Sequence, residues 1–295
     1  MTATQPTITN IADRAMLVNV SIRQFNPVKT DKKVTQEVAT QHGSEVSMGR
    51  YAKSVVAKES LDTLRKLAGE IRQEHYRRTL PWAEDGARIL TSAGYFAYAE
   101  YMRDAQAKWD PAVSEFLNSW DRYVSEARAK LGTLYDPSDY PSVRELRGKF
   151  EFRYAVRPVP TASDFRVSLG SEEVSAIRAE IQSTLDASVH NAMRDVWGRM
   201  RDVVGKMAER LRAYDPNNAS AAPFRDSLVS NITELLEVVP SLNLTGDAAV
   251  TDFAARIRQD LTGFDAQALR DNMFTREDVA QRAESIYNQM AAFIS

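Results

Sequence analysis

Three histidines, His42, His75 and His190, are the side chains best suited to metal binding or proton transfer. They lie far apart, with no His-Glu-x-x-His or His-x-His spacing around them. A metal centre would need carboxylates from unrelated positions to converge on one of them. The chain has no cysteine, which removes thiolate ligands, a thiol nucleophile and a disulfide framework together. No Gly-x-Ser-x-Gly or Ser-x-x-Lys pattern marks a serine nucleophile. Gly198 to Lys206, GRMRDVVGK, echoes a phosphate-binding loop, but its spacing is wrong and it lies inside a helical pattern, where backbone amides are not free. Glu84 and Asp85 beside Gly86 and Arg88 form a compact polar turn that reads as a helix cap. No catalytic residue, cofactor or metal is assigned, although a carboxylate site assembled by the fold leaves little trace in one sequence.

Two basic groups carry more. Arg72, His75, Tyr76, Arg77 and Arg78 end one helical segment, and Arg194, Arg199, Arg201, Lys206, Arg210 and Arg212 lie along another. Cations beside an aromatic ring hold phosphates and stack a base, as single-strand binding requires. Cations also complement the dipole of a helix C-terminus, and Asp195, Asp202 and Glu209 interrupt the second group, so solvated faces are the competing reading.

The elements that hold these groups are mostly helices. Leu61, Leu64, Leu67, Ile71 and His75 recur every three or four residues, and Leu80-Pro81 stops that helix. A second helix spans about 92–108, and Asp110-Pro111 supplies a cap and a first-turn proline for a third. The longest stripe runs from Val174 through Val189, Val196, Met200, Val203 and Met207 to Leu211, so a helix over 171–214 would be about 60 Å long. Such a helix must protrude, or pack along another chain in coiled-coil fashion, which makes Val189, Val196, Met200, Val203, Met207 and Leu211 a candidate interface. Three or four shorter helices follow, one stopped by Pro240 and the last starting at Thr275 with Asp278 as its capping partner.

Leu131 to Val167 breaks this helical sequence. Gly132 ends a helix, Asp136-Pro137 and Tyr140-Pro141 force turns, and Phe150, Phe152, Tyr154 and Val156 alternate with polar residues in a strand. Val18, Val20 and Ile22 form an earlier strand, and Phe165, Val167 and Leu169 a later one. Asp139 to Ser142, the Phe150 to Val156 strand and the Pro158 to Arg166 ending resemble a family of uncharacterised proteins carried by bacteriophages, plasmids and integrative elements. The resemblance covers about residues 10–170. It implies a mobile-element setting and a candidate partner, because genes of that family often neighbour one for a MoxR-type AAA+ ATPase. It assigns no functional residues.

The 295 residues are 43% hydrophobic and 26% charged, which suits a soluble globular protein. Residues 1–157 carry 24 Lys and Arg against 20 Asp and Glu, and residues 158–295 carry 14 against 20. That asymmetry allows head-to-tail association and falls short of a dedicated nucleic-acid binder. The polar first residues lack a signal peptide's pattern and no apolar run spans a membrane, so the bacterial cytoplasm is expected. The expected fold is mainly α: a helical bundle with one long protruding helix (about 171–214) and a small antiparallel β unit (about 16–25, 149–157 and 164–169). The regions expected are a strand and mobile arm at 1–47, a helical region with the β unit at 48–170, and the long helix with C-terminal helices at 171–295. The leading functional expectation is a non-enzymatic interaction or scaffold protein that forms homo-oligomers or docks a partner, the AAA+ ATPase being the one the resemblance implies. A nucleic-acid-binding accessory of phage DNA replication or recombination, with single-stranded DNA as a candidate partner and Arg72, Tyr76, Arg77, Arg78, Arg194, Arg199, Arg201 and Lys206 as candidate contacts, is the alternative. An inhibitor of a host defence system is a third.

Overall fold

The computed structural model describes residues 11–82, 86–164, 167, 170–218 and 225–293. In chain order the regular elements are β1 (Ala15–Arg23), β2 (Val28–Thr30), α1 (Lys32–Gln41), β3 (Ala52–Ser54), α2 (Asp62–Arg78), β4 (Leu80–Pro81), β5 (Arg88–Thr91), α3 (Tyr95–Asn118), α4 (Trp120–Leu131), α5 (Val143–Arg147), β6 (Glu151–Pro158), α6 (Ser171–Ala213), α7 (Ser227–Leu242), α8 (Ala248–Leu261), α9 (Ala266–Asp271) and α10 (Met273–Met290). The protein is mainly helical, with one long helix and a small antiparallel sheet, as its periodicities predict.

Local chemistry explains where the elements depart from the pattern. Asp110-Pro111 starts no new helix, because α3 runs through Pro111 to Asn118. The proline forfeits one backbone hydrogen bond, and buried Trp109, Val113 and Phe116 on either side keep one continuous apolar stripe. Pro240 likewise lies inside α7, two residues before its end. Helix α10 is capped by Asn272, whose side chain accepts from the Thr275 amide at 3.1 Å, in place of the expected Thr275–Asp278 box. Leu80-Pro81, expected only as a stop, is an edge strand, where a missing amide is tolerated. Residues 26–47, expected as an arm, carry β2 and α1, with the Asp31 carboxylate accepting from the Val34 amide. The strand expected at Phe165 and Leu169 lies outside the described residues. The larger sheet has the order β4-β5-β1-β6, and β2 and β3 form a separate pair.

Contacts divide the chain into two compact units, each assembled from separate stretches. Unit 1 comprises residues 1–19, 75–98 and 155–295, and unit 2 comprises 20–74 and 99–154.

In unit 1, β5 pairs antiparallel with β1 (Ala15 opposite Thr91, Val18 opposite Arg88) and with β4. Helix α6 packs along α10 and against α7. One core joins Val196, Met200, Met207 and Leu211 of α6 to Leu236 of α7, Ile286 of α10, and Leu80 and Ile89 of the strands. Gly205 permits the close approach of α10: a Cβ there would lie 2.7 Å from Tyr287 Cε2. Towards its N-terminus α6 runs from 171 to 184 before Leu185, its first buried residue.

Unit 2 is built around Trp120. Its ring meets Phe25 edge-on at 5.6 Å and Phe116 at 5.9 Å, and its indole N–H donates to the Pro141 carbonyl at 3.1 Å. Ser142 and Glu145 form a capping box that starts α5 immediately after this turn. In the smaller sheet Val28 lies opposite Ser54 and Thr30 opposite Ala52.

Candidate functional site

Among the described residues, His75 in unit 1 and Lys53 in unit 2 are buried titratable groups whose pKa the fold displaces. His75 sits in the last turn of α2, on the apolar stripe that also carries Ile71, so folding buries it with its helix face. Its Nδ1 lies 2.9 Å from the hydroxyl of Tyr98, which is itself fully buried. Burial, and secondarily the positive charge of Arg88, pushes the imidazole down to about 4. At neutral pH it is therefore an uncharged hydrogen-bonding group, poorly suited to proton transfer. Behind it, the Thr79 hydroxyl donates to the His75 carbonyl and accepts from Arg88 Nε at 2.7 Å.

The Lys53 ammonium has a side chain only 5% exposed and is held by three oxygens: Asp31 at 2.8 Å, Asp139 at 3.0 Å and the Leu134 carbonyl at 2.6 Å. Burial works against its charge, but hydrogen bonds to the two carboxylates overcome that and raise its pKa above the ordinary lysine value. The Lys53 hydrogen bond, followed by that from the Val34 amide, lowers the pKa of Asp31. A lysine held this firmly as a cation is a structural tie and no nucleophile. Asp139 opens the Asp-Tyr-Pro-Ser turn, so that turn is anchored by Asp139 on Lys53, by the Tyr140 ring stacked on Tyr135 at 5.0 Å, and by Pro141 on Trp120. Burial, then the neighbouring Tyr135 and Asp139, pushes the Tyr140 phenol up to about 12.

Unit 2 also exposes apolar side chains on ordered backbone. Between Val28 and Tyr51, Val28, Val38, Val46, Met48 and Tyr51 are all exposed, Met48 to 81% and Val38 to 46%. The segment carrying them is tied together by the β2–β3 ladder, by the Asp31 amide donating to the Tyr51 carbonyl at 3.0 Å, and by the Tyr51 amide donating to Thr35 Oγ1 at 3.0 Å. In unit 1 an open cleft of about 1200 Å³ lies between the end of α6 and α9–α10. Its cations are engaged: Arg212 pairs with Glu284, Arg270 with Asp226 at 2.6 Å, and Arg276 donates to the Leu269 and Arg270 carbonyls, each at 3.1 Å.

The candidate interface stripe is covered by its own chain. Val196, Met200, Met207 and Leu211 are buried in the core of unit 1, and Val189 and Val203 pack against it. The uncovered apolar face that would make this stretch an interface is absent, because α7 and α10 fold back over it. The basic candidates separate. Arg199 donates to the Arg77 and Thr79 carbonyls at 3.0 and 2.8 Å and pairs with Asp195 at 2.7 Å, closing the C-terminal end of α2. Arg201 lies over the Tyr287 ring at 4.0 Å, and Arg77 donates to the Glu234 carbonyl at 3.3 Å. Arg78 is half-buried, Arg72 is exposed and reaches the Ile22 carbonyl at 3.5 Å, and Arg194 is exposed beside His190 at 3.4 Å. Lys206 is exposed, and Tyr76 is 55% exposed. Glu84 and Asp85 lie outside the described residues; of that turn Gly86, with φ of +85°, and Arg88, the first residue of β5, are described.

Among the described residues no group of three His, Asp or Glu side chains is placed to hold a metal ion, and no helix is long and apolar enough to cross a membrane. Comparison with protein-family models, with curated proteins and with solved structures finds no match to this chain.

Proposed function

We propose that the chain is a non-enzymatic interaction protein that docks a partner through the β2–α1–β3 segment of unit 2. The observation that carries this reading is the exposed set Val28, Val38, Val46, Met48 and Tyr51, held on hydrogen-bonded backbone. Apolar side chains presented in such density on a stiff support favour association, because covering them releases water without a large ordering cost. The resting state of the buried groups supports the same reading: His75 is held neutral and Lys53 is held charged, each by structural partners.

The partner is the MoxR-type AAA+ ATPase that the resemblance implies, in a phage or mobile-element setting. Co-purification tests it: the chain is expected to retain the ATPase encoded beside it, and the double variant Val38→Asp, Met48→Asp to lose about tenfold or more in affinity. Failure of the wild-type chain to retain the ATPase sinks the partner. Equal retention by the variant sinks the surface.

A further inference from the structure

The carbonyl of Thr79, just beyond α2, accepts from two guanidinium groups that arrive from distant positions: Arg88 Nη2 at 3.0 Å and Arg199 Nη2 at 2.8 Å. Two cations sharing one oxygen repel each other at short range, and the repulsion is strengthened because both are partly withdrawn from water. Among the described residues the carboxylate facing them is Asp195, which pairs with Arg199. Burial, and then the Arg199 charge, lowers the pKa of Arg88. An anion bound beside Arg88 would relieve that repulsion.

The donors are arranged for one. Arg88, a half-buried residue, uses Nε on Thr79 Oγ1 and Nη2 on the Thr79 carbonyl, which leaves Nη1 without a partner among the described residues. The same guanidinium lies over the Tyr76 ring, 4.8 Å from its centroid. More than half of Tyr76 is exposed. A guanidinium lying over a ring keeps its N–H bonds in its own plane, directed past the ring edge, where a phosphate oxygen accepts them. The exposed part of the ring offers a surface on which a planar base stacks.

We propose that Arg88, Arg199 and Tyr76 form a binding site for a nucleoside phosphate. The phosphate is held by Arg88 Nη1 in the positive potential of Arg199, and the base lies against Tyr76. Arg199 acts mainly through its charge, since both its terminal nitrogens are engaged, Nη1 on the Arg77 carbonyl and Nη2 on the Thr79 carbonyl and Asp195.

Calorimetric titration of the full chain at low salt with AMP, inorganic phosphate and a ten-nucleotide oligo-dT tests this. AMP is expected to bind about tenfold or more tightly than phosphate, the difference that one stacked base supplies. Tyr76→Ala, a change at a largely solvated ring, should bring AMP down to the affinity of phosphate. Arg88→Lys keeps the charge and removes the fork, and should weaken both. Binding of the oligonucleotide as well as AMP identifies a nucleic-acid strand as the source of the phosphate, and binding of AMP alone identifies a free nucleotide; both support the site. Absence of AMP binding, equal affinity for AMP and phosphate, or AMP binding unchanged in Tyr76→Ala overturns it, as does oligonucleotide binding that survives both substitutions.

Discussion

His75 shows how position decides the chemistry of a residue. On an exposed helix face it would titrate near its ordinary value of 6.5; burial, and then the charge of Arg88, pushes it down to about 4. The unfolded chain then binds the proton more readily than the folded one, so the contribution to stability is complete above about pH 6.5 and is lost as pH falls towards 4. Two and a half pKa units bound this contribution at about 3 kcal/mol. Urea unfolding at pH 7 and pH 5 should show the wild type losing stability on acidification and His75→Gln losing clearly less; parallel losses would dismiss His75 as the source. The sequence placed His75 on an apolar stripe but gave no sign of Tyr98, 23 residues away. The same distance problem hid the Lys53 tie, whose carboxylates sit 22 residues before and 86 residues after it. Charged residues engaged inside the fold, such as Arg199, have the same sequence pattern as solvated ones.

At the scale of elements, periodicity carried the long helix and the two long strands, because each presents a continuous apolar face. It missed β2, β3, β4 and β5, which span two to four residues and have too little length to show a period. It overrated Pro111 as a helix start and Pro240 as a stop, since packing on both sides outweighs one lost hydrogen bond. Two glycines in α6 separate propensity from packing. Gly198 has nothing within 4 Å of where a Cβ would stand, so Gly198→Ala should stabilise the protein by about 0.5–1 kcal/mol. Gly205→Ala gains the same propensity but drives a methyl into Tyr287, whose ring also lies under Arg201, and should destabilise by about 1–2 kcal/mol. Thermal unfolding of the two variants decides it, and a stabilised Gly205→Ala would show that α10 can move aside.

At the scale of the whole molecule, the units are discontinuous in a way no local pattern encodes. Unit 1 takes Ile11, Ala15, Leu17, Leu80 and Ile89 into the same core as the helices after residue 170. A fragment of residues 155–295 lacks all five. It should keep its far-ultraviolet helical signal yet bind a hydrophobic dye and melt without cooperativity. Sharp unfolding without dye binding would show that the helices suffice for the core. The apolar stripe of α6 illustrates the limit of sequence reading at this scale: its spacing revealed a face that must be covered, and the fold supplied the cover from α7 and α10 of the same chain.

That interleaving also sets an order of events on the ribosome. The last residue of unit 2 is Tyr154, whereas unit 1 must wait for the 141 residues that follow. At about 5–20 residues per second, that wait is roughly 7–30 s. Throughout it, Leu80 and Ile89 have been synthesised but the helices that bury them have not, which leaves a short apolar strand pair open to nascent-chain chaperones. The pace of translation through the C-terminal half therefore becomes a determinant of how much folded protein a cell obtains.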